Sequence, residues 1–253
     1  MVLLELKEVT KKYPVRLKKG RKSVIAVNQV NLTLCEAESL ALVGESGSGK
    51  STIAKLIMNI EPVTSGQILL DDKSIHRKEL KYLQLYKNIQ LVLQDSATSL
   101  HPKMTVQEIL TEPIRNFFPK EKNTNDKCFK LLDLVGLDDT FLTRYAHQLS
   151  GGQKQRVCIA KALAVQPKII IFDESIASLD SPSQVAIIEM LKEIQNKEQI
   201  AYLFITHDLQ SAKHLCNRVA VMQEGTIVEI FSDWHEENLK HPYTKQLFRY
   251  SQE

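Results

Sequence analysis

The run Ser39-Leu-Ala-Leu-Val43-Gly44-Glu45-Ser46-Gly47-Ser48-Gly49-Lys50-Ser51-Thr52-Ile53-Ala-Lys-Leu56-Ile57 decides the fold class. Ser39 to Val43 is an apolar run of strand length. Beyond the loop, Ile53, Leu56, Ile57 and Ile60 recur at i, i+3, i+4 and i+7, the spacing of one helix face. Between them, Gly44 to Ser51 fits G-x-x-x-x-G-K-[S/T] in the strand-to-helix context that gives the pattern its meaning. Glycines let backbone N–H groups close around phosphate oxygens, and the helix N-terminus adds its partial positive charge. Lys50 can reach the outer phosphates, and the Ser51 hydroxyl can ligate Mg²⁺. By average residue usage such a pattern arises by chance in about one chain in a hundred of this length. The alternative is a glycine-rich turn with a capping serine.

Outward from the loop, the apolar runs Ile169-Ile170-Ile171-Phe172 and Tyr202-Leu203-Phe204-Ile205 are continuous rather than alternating. Parallel strands buried on both faces read this way, and strands interleaved with helical patterns predict an α/β sheet. Asp173 and Glu174 end the first of these runs. An acid ending a buried strand beside a phosphate loop can hold Mg²⁺, and its neighbour can polarise the attacking water; the alternative is two acids capping the next helix. Ser96 to Ala164 holds helix formers broken by Pro102, Pro113, Pro119 and Gly136, which predicts an inserted helical subdomain. From Arg218 the text predicts a hairpin turning at Glu224-Gly225, followed by a polar tail.

Composition closes off several classes. With 253 residues, 43% hydrophobic and 25% charged, the chain is long enough for a core and has no signature of disorder or fibrous repeat. No stretch approaches the roughly 18 apolar residues of a membrane span. The first eight residues mix acids and lysine with no cleavable apolar segment, and Cys35, Cys128, Cys158 and Cys216 are scattered without a C-x-x-C pair; a reducing, cytoplasmic location is expected. Net charge is +3, but Lys11, Lys12, Arg16, Lys18, Lys19, Arg21 and Lys22 crowd into one acid-free segment, which is expected to be a solvated hairpin loop rather than a nucleic-acid surface. The histidines His76, His101, His147, His214, His235 and His241 have no ligand spacing, so no transition-metal site is expected in this chain.

Leu149-Ser150-Gly151-Gly152-Gln153 narrows the class further. It resembles the signature motif of ATP-binding-cassette (ABC) ATPases, and the resemblance covers nearly the whole chain. It implies an α/β P-loop NTPase core with a parallel sheet, an N-terminal antiparallel β subdomain and an inserted helical subdomain. The expected layout is one cassette over 1–253, with the core at 1–95 and 165–230, the helical signature subdomain at 96–164 and a tail at 231–253. In the family the serine and glycines read ATP held by a partner cassette in a head-to-tail dimer, so two cassettes enclose two ATPs. Tyr13 resembles the adenine-stacking aromatic, although an ordinary core or loop tyrosine remains the alternative. Gln94 resembles the glutamine that senses Mg²⁺ and couples to the membrane subunit; with Ser51 and Asp173 it is the expected Mg²⁺ set. Ser178-Leu179-Asp180 resembles the loop crossing the dimer interface, and His207 the histidine at the γ-phosphate. Lys50, Glu174 and His207 are the expected catalytic residues. Two positions depart from the family pattern: Ser175-Ile176 follows Glu174 where the family usually has Pro-Thr, and Gln94-Asp95 continues into Ser96 rather than proline.

Gln94-Asp95-Ser96 with Ser99-Leu100-His101-Pro102, Leu110-Thr-Glu-Pro113 and His241-Pro242-Tyr243-Thr244-Lys245 look like the peptide and nickel importer group. That group implies a second, paralogous cassette, two permeases, an extracytoplasmic binding protein acting indirectly, and a position on the cytoplasmic face of the cell membrane. Gln94 to Thr105 is the expected permease-docking segment. Gln94-Asp95-Ser96, Arg156-Val-Cys158 and Leu203 to Leu209 are most similar to the second ATPase of nickel importers, so the expected cargo is nickel, cobalt or zinc, free or as a metallophore complex. Dipeptide or oligopeptide import is the alternative. A soluble cassette acting on DNA or ribosomes is an alternative of another class, disfavoured by the chain length.

Overall fold

A computed structural model describes residues 1–16, 21–76, 81–94, 99–177 and 179–251. Their contacts divide the chain into two units, Met1–Leu85 with Ala201–Glu253, and Tyr86–Ile200.

The first unit holds two sheets. One is antiparallel, ordered β2 (Arg21–Cys35), β1 (Val2–Arg16), β4 (Ser65–Leu70), β5 (Lys73–Ser74). In the other, β3 (Ser39–Val43) lies between β8 (Ala201–Thr206) and β9 (Arg218–Gln223) and is parallel to both. Every residue of β3 and β8 is buried, as their unbroken apolar text requires. Strand β10 (Thr226–Phe231) folds back on β9 through Glu224 and Gly225, both at positive φ (46° and 83°). This is the two-residue turn whose twist matches a hairpin, at the expected place.

Helix α1 (Lys50–Ile57) buries Ile53, Ala54, Leu56 and Ile57. The expectation that Ile60 extends this face fails: Ile60 is 58% exposed. Asn59 adopts φ 52°, its N–H donates to the Leu56 carbonyl, and the Ile60 N–H donates to the Lys55 carbonyl. This is a Schellman stop, which takes the chain off the helix one residue before Ile60.

The basic segment also departs from expectation. Lys11 lies inside β1 and is 6% exposed, with Nζ 2.8 Å from Glu61 Oε2 and 2.8 Å from the Pro62 carbonyl. It is a paired buried cation, since an ammonium can leave water only with a partner. Residues 17–20 lie outside the described residues.

The second unit contains the parallel pair β6 (Ile89–Leu93) and β7 (Ile169–Asp173). Between them in sequence run α3 (Val106–Phe117), α4 (Thr124–Leu134) and α5 (Gly151–Leu163); α6 (Ser181–Glu198) follows β7. Helix α2 (Tyr82–Asn88) precedes β6. Thr105 and Glu108 cap α3 reciprocally, and the Thr105 N–H, with its hydroxyl, holds the Glu108 carboxyl below the usual carboxylate range. Among the described residues no helix is long and apolar enough to cross a membrane. All four cysteines are free thiols, and burial pushes the Cys216 thiol far above its usual range.

Candidate functional site

In the first unit, the loop begins where β3 stops and ends where α1 starts. Val43 pairs with Thr206, so Gly44 and His207 leave neighbouring parallel strands at the same carboxyl edge. Ligands of open α/β sheets gather at such an edge. Gly49 has φ +110°, and a Cβ there would lie 2.3 Å from the Ala26 carbonyl oxygen. At Gly44, φ +153°, a Cβ would lie 2.1 Å from the Met222 carbonyl oxygen. Only glycine fits either place, and the loop is pressed against neighbouring backbone as a result.

Gly49, the residue at the start of α1, has no side chain to cap the helix, and a helix N-terminus of this kind suits an anion. Lys50 is buried, and its Nζ donates to the Gly44 carbonyl at 2.7 Å and the Glu45 carbonyl at 2.9 Å. The ammonium therefore spans the loop it belongs to. Ser48 Oγ is buried with no hydrogen-bond partner among the described residues, an orphan that a phosphate oxygen would satisfy. The Gly225 N–H of the hairpin turn donates to the Ser48 carbonyl at 3.0 Å. Ser51 and Thr52 occupy the first turn of α1, half-buried; Glu45, Ser46 and Gly47 are exposed.

Tyr13 is half-buried on β1 with Lys11 Nζ 4.8 Å from its ring centroid, so one face of the ring already carries a cation. His207 is exposed in the turn after β8. The turn is pinned next to it: the Asp208 N–H donates to Thr206 Oγ1 at 3.0 Å, and the Asp208 carboxylate accepts from the N–H groups of Gln210 and Ser211 at the start of α7 (Leu209–Leu215).

In the second unit, Leu93 pairs with Asp173 at the ends of β6 and β7. Gln94 and Glu174 thus follow paired residues, and Gln94, Asp173 and Glu174 collect at one strand edge. Gln94 is exposed, and Asp173 and Glu174 are half-buried. Glu174 has φ +49°, a left-handed backbone that an unbranched acid adopts at a cost of order 1–3 kcal/mol. Such strain is typical of a side chain whose direction matters.

The signature segment caps α5. Ser150 Oγ accepts the Gln153 N–H at 3.3 Å and the Gln153 carboxamide oxygen accepts the Ser150 N–H at 3.0 Å, while Leu149 is buried beneath. A Cβ at Gly151 would sit 3.6 Å from Leu179 Cδ2, and one at Gly152 3.5 Å from Ser183 Oγ, ordinary contact distances. Among the described residues nothing requires glycine at either position. Asp180 caps α6 by accepting the Ser183 N–H at 3.0 Å, and Leu179 is half-buried. Ser178 lies outside the described residues, as do Asp95 to Thr98 of the expected docking segment.

One residue in contact with the loop was not anticipated. The Glu45 N–H donates to the Tyr243 hydroxyl at 3.0 Å, from α8 (Pro242–Tyr250). The signal available in sequence was the His241-Pro242-Tyr243-Thr244-Lys245 string, to which no chemistry attached.

Comparison with known proteins identifies the family and the fold. A family model described as "ABC transporter" matches residues 27–177. The oligopeptide transport ATP-binding protein OppF of Lactococcus lactis subsp. lactis (strain IL1403) is 42% identical over 252 residues, 97% of this chain and 79% of that one. OppF of Bacillus subtilis (strain 168) is 38% identical over 250 residues, 97% and 81%. The dipeptide transport ATP-binding protein DppF of Lactococcus lactis subsp. cremoris (strain MG1363) is 42% identical over 236 residues, 90% and 76%. Among solved structures, the ATP-binding cassette MJ0796, a dimer in a post-hydrolysis state bound to ADP and phosphate, matches with a TM-score of 0.78 at 28% identity, covering 91% of this chain and 98% of that one. The cbiO1 protein of Clostridium perfringens, part of the ABC transporter complex cbiONQ, matches with a TM-score of 0.79 at 28% identity, 91% and 88%. Since the family match runs from β2 past the signature segment to Ala177, and the relatives align along nearly all of the remainder, this chain belongs to the ABC transporter family as one of its ATP-hydrolysing cassettes.

Proposed function

We propose that this chain is the ATPase subunit of an importer for oligopeptides or dipeptides. The observation that carries the reading is the 42% identity to an oligopeptide transport ATP-binding protein along 97% of the chain. The nickel, cobalt or zinc reading rested on short strings around Gln94, Arg156 and Leu203, whereas the peptide names come from near-full-length similarity. The subunit would pair head-to-tail with a second cassette, a paralogue in this reading, and attach peripherally to two permeases at the cytoplasmic face of the membrane. An extracytoplasmic binding protein would deliver the cargo.

Within the chain, Gly44 to Thr52 would hold the triphosphate, with Lys50 passing from the Gly44 and Glu45 carbonyls to the outer phosphates. Tyr13 would take adenine on the ring face away from Lys11. Glu174 would act as general base toward the attacking water, and His207 would donate to the γ-phosphate as charge develops there. Ser150, Gly151, Gly152 and Gln153 would contact ATP held by the partner cassette, beside the interface loop Ser178-Leu179-Asp180. The Ser51 hydroxyl, the Gln94 carboxamide and the Asp173 carboxylate are each hard oxygen donors of the kind Mg²⁺ takes. When bound, Mg²⁺ would neutralise charge on the phosphate oxygens.

Uptake in a deletion strain tests the cargo. Loss of labelled di- and oligopeptide uptake with normal nickel, cobalt and zinc accumulation is the expected result; the opposite pattern would restore the metal reading.

A further inference from the structure

We propose that Tyr243 is a positioning residue of the nucleotide site: its hydroxyl, carried on the C-terminal helix, fixes the peptide plane between Gly44 and Glu45 and thereby the conformation in which the loop receives ATP. This rests on the reading of Gly44 to Thr52 as the ATP loop.

The peptide group joining Gly44 to Glu45 is held at both polar ends. Its carbonyl, that of Gly44, accepts from Lys50 Nζ at 2.7 Å. Its N–H, that of Glu45, donates to Tyr243 Oη at 3.0 Å. A plane flanked by glycine turns easily, because no Cβ limits the torsions on that side. Two hydrogen bonds at opposite ends remove the freedom. Were the plane to turn over, the Gly44 carbonyl would leave Lys50, and the ammonium would lose an acceptor that aims it along the loop.

The tyrosine is itself held firmly. Glu229 on β10 accepts the N–H groups of Lys240 at 2.7 Å and His241 at 3.0 Å, clamping the two residues before α8. At the other end of the helix the Ser251 carbonyl accepts from Gln210 Nε2 at 2.7 Å. Tyr243 is buried, and that burial pushes its phenol above the usual range. All of these residues belong to the first unit. The string His241 to Lys245, noted in the sequence as a group marker, thus has a physical task in this chain.

The test is the affinity of the purified full-length chain for a fluorescent ATP analogue, together with the ATP dependence of hydrolysis in the assembled transporter. Tyr243→Phe keeps the ring and removes the hydroxyl. Kd and KM should rise roughly two- to tenfold, the range set by one lost hydrogen bond, with kcat changing less than KM. Glu229→Gln, which weakens the clamp, should shift Kd the same way, and the double variant should be no worse than the more severe single one. Lys50→Ala separates the two levels of inference. If it binds the analogue as the parent does, the ATP-loop reading fails. If it loses binding while Tyr243→Phe binds as tightly as the parent or tighter, or shows only a lowered melting temperature with unchanged Kd, the assignment of Tyr243 is overturned and the loop reading stands.

Discussion

Replacing Gly151 or Gly152 by alanine should strengthen the isolated chain while disabling the working transporter. Both glycines have negative φ, in the first turn of α5, and an added Cβ meets Leu179 or Ser183 at 3.5–3.7 Å, which is ordinary contact. Where the native backbone accepts alanine, Gly→Ala stabilises by about 0.4–1 kcal/mol, chiefly by narrowing the unfolded ensemble. For a chain of this size that is a rise of about 1–4 °C in melting temperature. In the assembled transporter the same methyl would stand where the partner's nucleotide approaches the N–H groups of the helix end. A displacement of about 1 Å at a reacting group can lower the rate about 10²-fold. Circular-dichroism melting of the purified chain and phosphate release by the reconstituted complex measure the two effects separately. A melting temperature that falls by several degrees would show that the chain itself needs these glycines. Undiminished hydrolysis would show that nothing approaches them. Gly49→Ala is the contrasting case: the added carbon would lie 2.3 Å from the Ala26 carbonyl oxygen, and both folding and ATP binding should suffer.

Two further outcomes follow from single side chains. Glu174→Gln should lower ATP turnover by about 10²–10⁴-fold with ATP binding retained, as expected for loss of a general base, and unchanged turnover in the assembled transporter would remove Glu174 from that role. For the Lys11–Glu61 pair the two deletions should be unequal. Glu61→Ala leaves a buried ammonium with the Pro62 carbonyl and the Tyr13 ring face and should destabilise by about 2–3 kcal/mol, whereas Lys11→Met leaves a carboxylate that is 37% exposed and resolvated, at about 1 kcal/mol, in urea unfolding. The reverse order would contradict the burial argument.

The parts of the site that were legible in the sequence are those whose physics is local. The phosphate loop lies within nineteen consecutive residues from strand to helix, and the Glu224-Gly225 turn within two, so residue type alone specifies both. Asn59 carries a stop signal that helical periodicity does not weigh, so periodicity places Ile60 on a buried face that it does not join. Lys11 looked solvated because its neighbours in sequence are basic, while its partner Glu61 is fifty positions away. Tyr243 and Glu45 are separated by 198 positions and meet only once the strands have been ordered. Glycine shows the same limit most clearly. Gly44 and Gly49 in the loop, and Gly151 and Gly152 in the signature segment, look alike as text, yet the first pair is demanded by carbonyls of this chain and the second pair by none of the described residues. A glycine beside which the described fold leaves room for a methyl group is not explained by that fold, and this is the physical argument behind the proposal that Gly151 and Gly152 serve a partner's ATP.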